Sequence, residues 1–262
     1  MTELFDADWL ALREPVDHRS RPAALLAPLT EWLRRQEPLQ VLDLGSGRGS
    51  NLRYLAPRLP GRQHWWLLDH DAGLLAEAQP PAPQVEVTPL VRDLREPDGL
   101  QLDRVHLVTG SALLDLVSED WLAALAAACA ANNNAALFAL NVDGHISWEP
   151  GDPGDAAVLA AFHEHHAGDK GFGPALGTRA GQRMCDLFAE QGYTVACMPS
   201  PWQLSTADRP LRQALSDGWV AAACEQRPDL AEHFAGWRRR CNARSGTLRV
   251  GHLDVLALPP ER

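Results

Sequence analysis

The stretch VLDLGSGRGSN at residues 41–51 constrains the fold more than any other part of the chain. Leu39 to Leu44 is a short apolar run, as in a strand buried on both faces, and an acid and three alternate glycines close it. Such a sequence turns a parallel strand sharply into a helix. Ser50 to Arg58 reads as that helix, ended by Pro57 and Gly61. A dinucleotide fingerprint needs its third glycine one place later, where this chain has Ser50. The spacing therefore suits a ligand without a pyrophosphate. Asp43 can pair with an ammonium group, while Gly45 and Gly47 let the backbone come close to it. A tight turn that binds nothing is the alternative.

Downstream, apolar runs and helical patterns alternate. HWWLLD (64–69), QVEVTPL (84–90), RVHLVTG (104–110) and AALFALNV (135–142) read as strands, with helices at 72–78 and 119–131 between them. Upstream, Leu25, Leu26, Leu29, Trp32 and Leu33 have helical spacing, and Pro38 ends that segment. Regular alternation of this kind specifies a doubly wound parallel sheet. Beyond Val142 the rhythm breaks into a stretch rich in Gly, Pro, Asp and His, up to residue 177. A helix over 178–191, a strand over 193–198, helical stretches across 208–240 and an alternating strand over 247–258 complete the pattern.

Two more acids fall at strand ends. Asp69 closes the second strand, where a carboxylate can accept both hydroxyls of a ribose, and Asp71 reads as the cap of the next helix. Asp93 follows the third strand in VRDL, where an acid and a backbone N–H can read an adenine edge; a plain turn acid is the other reading. Taken in this order, VLDLGSGRG, LLDHDAGLL and VRDL resemble motif I, motif II and the adenine loop of class I S-adenosylmethionine-dependent methyltransferases, of the small-molecule type. The resemblance covers roughly residues 35–142 and the final strands.

The resemblance implies S-adenosyl-L-methionine as cofactor. Asp43, Gly45, Ser46, Gly47 and Gly49 would lie at its methionine part, Asp69 and His70 at the ribose, and Asp93 and Leu94 at adenine. Thr109, Gly110 and Ser111 would line the methyl-transfer face. The stretch after the fourth strand reads Thr-Gly-Ser-Ala-Leu-Leu and lacks the Asn/Asp-Pro-Pro-aromatic motif of base N-methylating relatives. The expected fold is α/β: a doubly wound, mostly parallel seven-stranded sheet with an antiparallel last strand, N-terminal helices and a helical and loop cap over the substrate side. One domain, 1–262, is expected. It comprises an N-terminal helical cap (1–37), a cofactor-binding half (38–142), a substrate-side insertion (143–177) and a C-terminal part of the sheet (178–262) with a helical insertion at 200–246.

Ligands of open α/β sheets bind beyond the carboxyl ends of the strands, which puts the segment after the fifth strand over the reacting methyl. A hydroxyl acceptor needs a base, and His145, Asp143, His166 and Asp169 are the candidates, with His163 and His165 nearby. Trp148, His163, Lys170 and Phe172 are candidate acceptor contacts. A metal bound by the histidines and solvated helix histidines are competing readings, and the expectation is no metal. Arg19 and Arg21 could close over a carboxylate of cofactor or substrate, or form surface ion pairs.

The formal charge of −10 argues against a nucleic-acid partner, and the only basic clusters are Arg34-Arg35 and Arg238-Arg239-Arg240. No apolar run has the roughly 18 residues of a membrane span. The N-terminus does not read as a secretory signal, and five widely spaced cysteines suit a reducing compartment, so a cytoplasmic protein is expected. The function expected is O-methylation of a small molecule. An RNA or protein methyltransferase and a non-catalytic S-adenosylmethionine-binding protein are the alternatives. The oligomeric state is not legible.

Overall fold

The computed structural model describes residues 7–95, 100–166 and 173–260. The central sheet is built from β1 (Leu39–Leu44), β2 (Gln63–Asp69), β3 (Val85–Val91), β4 (Leu107–Ser111), β5 (Ala135–Glu149), β6 (Thr194–Pro199), β7 (Trp202–Leu204) and β8 (Thr247–Leu258). Seven of them follow the order β3-β2-β1-β4-β5-β8-β6, and β7 pairs with β8 beside that path. The first five strands are mutually parallel, and β8 runs antiparallel to β5, β6 and β7. The chain winds outward in one direction from β1 and in the other from β4, so connections diverge at their carboxyl ends and leave a crevice there.

The short β7 is an eighth strand beyond the seven expected. Its three residues are too few to show an alternation in sequence. A second difference concerns β5, which continues past Val142 and pairs with β8 as far as Glu149↔Thr247. Register shifts fall between Phe138 and Asn141 and between Val142 and Ile146. Leu140 (φ 56°) and Gly144 (φ 83°) occupy the left-handed region at these two places. The second bulge carries Asp143-Gly144-His145 out of the ladder, which is why a polar break in the sequence does not end the strand.

Around the sheet lie α1 (Ala7–Ser20), α2 (Leu26–Leu33), α3 (Ser50–Leu55), α4 (Ala72–Glu77), α5 (Glu119–Asn132), α6 (Asp155–His166), α7 (Ala180–Glu190), α8 (Arg209–Gln226) and α9 (Ala231–Ala243). Asp71 caps α4 by accepting from the N–H groups of Gly73 and Leu74, and Ser118 caps α5 through Trp121 N–H. Such caps contribute about 1 kcal/mol each. One face of the sheet buries Leu42, Leu44, Val108 and Phe138 against α5 and α7. The other buries Val41, Trp65, Leu67 and Leu107 against α2, α3 and α4. A third cluster, centred on Trp148, Trp219, Trp237 and Phe234, gathers α6, α8 and α9 over Ala112, just past β4, and over Ala139 and Leu140 within β5. Among the described residues no helix is long and apolar enough to cross a membrane.

Candidate active site

The glycine loop is shaped by backbone conformation. Gly45, Gly47 and Gly49 have φ of 63°, 49° and 79°, values that side chains resist, and Gly49 sits at the N-cap of α3. A side-chain carbon on Gly45 would lie 3.3 Å from Leu113 and 3.8 Å from Leu94, so the loop faces an apolar slot from close range. Ser46 N–H donates to Leu68 O at 3.1 Å and ties the loop to β2. Helix α1 lies across the loop. Leu10 comes within 3.5 Å of where a Gly47 side chain would start, Arg48 donates to Ala7 O at 3.1 Å, and Arg53 holds Glu14 at 2.6 Å.

Two carboxylates flank this loop. Asp69 Oδ2 accepts from Gly47 N–H at 2.7 Å, Asp69 Oδ1 accepts from Asp71 N–H at 3.0 Å, and His70 Nδ1 lies 3.2 Å from Asp69 Oδ1. Each oxygen keeps a lone pair for a further donor. Asp43 is fully buried. Its Oδ1 accepts from Asn51 Nδ2 at 2.7 Å, while Oδ2 is sealed from solvent and has no partner. Burial pushes the Asp43 carboxyl up to about 7; the Asn51 hydrogen bond and the Arg21 charge oppose this, and the Asp69 charge adds to it. An orphaned carboxylate oxygen beside a glycine loop fits a ligand that brings its own cation.

The loop after β3 comes to the same place. Leu94 faces Gly45, and its carbonyl accepts from Trp121 Nε1 at 2.7 Å. Asp93 accepts from Arg95 N–H at 2.9 Å and pairs with the Arg95 guanidinium, whose hydrogen bonds hold its carboxyl below the usual range. Midway along β5, Asp143 Oδ1 accepts from His145 N–H at 2.8 Å and lies 3.3 Å from His145 Nδ1. Thr178, just before α7, packs against Gly144. The neighbouring stretch binds the loop after β4, with Leu176 N–H on Val117 O and Gly177 N–H on Asp115 O.

Residues 41–133 match the family model of a methyltransferase domain. No curated protein matches the sequence. Over its length the chain is similar to a cyclopropane-fatty-acyl-phospholipid synthase-like protein from Lactobacillus casei, with TM-score 0.57 and 14% identity, covering 95% of this chain and 92% of that one. It is also similar to a cyclopropane synthase from Mycobacterium tuberculosis, with TM-score 0.52 and 14% identity over 97% and 94% of the two chains. Residues 41–133 therefore carry a methyltransferase domain, on a fold shared with these two structures.

Within this methyltransferase domain, Asp43, Gly45, Ser46, Gly47, Gly49, Asp69, His70 and Leu94 gather around one loop, with Asp93 at its rim. Thr109 and Gly110 lie elsewhere than expected. Thr109 is buried between β1 and β5, donating from Oγ1 to Leu137 O at 2.6 Å and accepting from Asn51 at 3.1 Å. It supports Asp43 from behind and does not line an open face. Any side chain at Gly110 would meet Phe138 at 2.9 Å, so that glycine serves strand packing, and Ser111 alone ends β4 toward the crevice.

Of the residues expected to meet an acceptor, Trp148 is 8% exposed and meets Trp219 and Trp237 edge-on at 5.4 Å each. This packing makes it a core residue, because β5 extends far enough to carry it under α8 and α9. His163 is half-buried on α6 beside Phe162, and His165 pairs with Glu225 of α8 at 3.0 Å. Asp169, Lys170 and Phe172 lie outside the described residues, as does the side chain of His166. Among the described residues no three His, Cys, Asp or Glu side chains group as a metal site. Sequence reading missed Asn51, Leu113 and Trp121. Of these, only Asn51 carried a signal, one turn into the helix that follows the glycine loop.

Proposed function

We propose that this protein transfers a methyl group from S-adenosylmethionine to a hydroxyl oxygen of a small molecule. The observation that carries the reading is the Asp143–His145 pair, held by a left-handed bulge within β5, just beyond its parallel pairing with β4. A carboxylate on Nδ1 fixes the imidazole tautomer and leaves Nε2 to accept a proton. The His145 side chain is 80% exposed, so an arriving acceptor can reach it directly. S-adenosylmethionine supplies an electrophilic methyl group on a sulfonium when bound. Asp43 Oδ2 would hold its ammonium, the loop from Gly45 to Gly49 its methionine part, Asp69 and His70 its ribose, and Leu94 with Asp93 its adenine. Asp143 would orient His145, and His145 would remove the acceptor proton as the oxygen takes the methyl, with S-adenosylhomocysteine as the leaving group. His166 and Asp169 are the other candidate bases, and His163, Lys170 and Phe172 candidate acceptor contacts.

The net charge of −10 supports a small acceptor over RNA. All five cysteines are free, in keeping with a reducing, cytoplasmic setting. The test is a turnover panel of phenols, aliphatic alcohols, amines and unsaturated acyl chains, with products located by mass spectrometry. Oxygen methylation that drops sharply in His145→Ala supports the reading. Methylation of nitrogen or carbon, or full turnover by His145→Ala, overturns it.

A further inference from the structure

Behind Asp43 lies a buried chain of polar groups that joins the segment after the first helix to the last strand. Asn51 uses both ends of its side-chain amide: Nδ2 donates to Asp43 Oδ1 at 2.7 Å, and Oδ1 accepts from Arg21 Nη1 at 2.8 Å. Arg21 donates from Nε to Asp254 Oδ2 at 3.0 Å, in an ion pair whose side chains are only 4% and 1% exposed. The guanidinium also sits 4.4 Å from the centre of the Tyr54 ring. Asp254 Oδ1 accepts from Leu140 N–H at 2.8 Å and from Ser200 Oγ at 2.5 Å. One carboxylate therefore holds the left-handed turn of β5 with one oxygen and the arginine with the other. Arg19, two residues from Arg21, instead makes an exposed pair with Asp208 at 2.7 Å.

A buried ion pair is costly to desolvate and is weak evidence of stability for its own sake. Among the buried side-chain atoms of Asp43, Asn51, Arg21 and Asp254, Asp43 Oδ2 is the one left without a partner. We propose that Arg21 and Asp254 are positioning residues for the cofactor: they hold Asn51, and through it Asp43, in the geometry and charge state that a cationic ligand needs, and they tie this to the β5 turn below the acceptor. The inference rests on the reading that Asp43 meets the ammonium of S-adenosylmethionine. The groups bearing on Asp43 are Asn51 from α3, Thr109 from β4, Asp69 from β2 and Arg21 from the segment after α1. Arg21 is the only cation among them. Without it, the Asp43 proton leaves at higher pH, and the cationic ligand binds only when that proton is gone.

The experiment is calorimetric binding of S-adenosylmethionine and S-adenosylhomocysteine between pH 5.5 and 8.5, with melting curves to confirm folding. Arg21→Gln is expected to lose at least tenfold in affinity at pH 7 and to move the pH midpoint of binding upward by about one unit. Arg21→Lys retains the charge without the two-pronged geometry, so its midpoint should stay near wild type while affinity falls. Arg19→Gln should change neither. Affinity within twofold of wild type for Arg21→Gln, or a lower affinity with an unmoved midpoint, overturns the proposal. If Arg21→Gln does not fold, Asn51→Leu, which cuts the link to Arg21, carries the same expected loss and the same overturning result. Asp43→Asn separates the two readings. Unchanged affinity in that variant defeats the cofactor assignment and this proposal with it, whereas a loss there with none in Arg21→Gln or Asn51→Leu defeats this proposal alone.

Discussion

The two sides of the crevice are built on opposite principles. On the side proposed for the cofactor, Asp43, Asn51, Arg21 and Thr109 are buried, and they hydrogen-bond to one another. On the acceptor side, the polar pair Asp143–His145 stands on a bulge in contact with solvent, while the large aromatic residues behind it are turned inward as core. A ligand with fixed chemistry can be met by a preorganised, buried carboxylate, whose desolvation is offset once by the cation it receives. An acceptor that must enter, react and leave needs a reachable base on a rigid strand. Variants on the first side should therefore show in cofactor affinity, and variants on the second should leave that affinity intact.

The largest departure is expected at His145. Alanine there should lower single-turnover methyl transfer by about 10²–10⁴-fold with cofactor affinity nearly intact; a change in affinity without a change in rate would erase the contrast. Trp148→Ala should cost about 3–5 kcal/mol of stability, read as a lower denaturation midpoint, because a packed indole leaves a cavity that its neighbours cannot fill. Loss of acceptor binding at unchanged stability would return Trp148 to the acceptor wall.

Asp43 sharpens the comparison through pH. Its folded carboxyl is raised to about 7, above the unfolded value, so its contribution to the ligand-free protein is fully present below about pH 4 and is lost as pH rises through about 7. Asp43→Asn should remove this dependence, raising ligand-free stability at pH 8 by up to about 4 kcal/mol while weakening cofactor binding. A variant that is less stable at pH 8 would mean that the charge is not the cost. Asp69→Ala should lose at least about tenfold in cofactor affinity, or 1.4 kcal/mol, by calorimetry. The smallest effect belongs to His165→Ala, whose pair with an exposed Glu225 should contribute less than about 1 kcal/mol and leave turnover unchanged.

What the sequence determined by itself is the alternation of strands and helices, the glycine turn after β1 and the acids at the ends of β1 and β2. These are local signals: a buried parallel strand, a turn that only glycine adopts readily and a helix cap each show in a few consecutive residues. Tertiary structure alone decided the rest. Asp143-Gly144-His145 reads as a loop until β8 pairs on both sides of it, and Trp148 reads as a free aromatic until α8 and α9 close over it. Thr109 reads as the lip of the site until Asn51 and Leu137 claim its hydroxyl. Arg21 and Asp254 stand 233 residues apart. No periodicity connects them; their partnership exists only because the sheet order sets β8 beside β5 and the segment after α1 folds back across both. A buried charge takes its meaning from what surrounds it in space, and that surrounding is assembled from the whole chain.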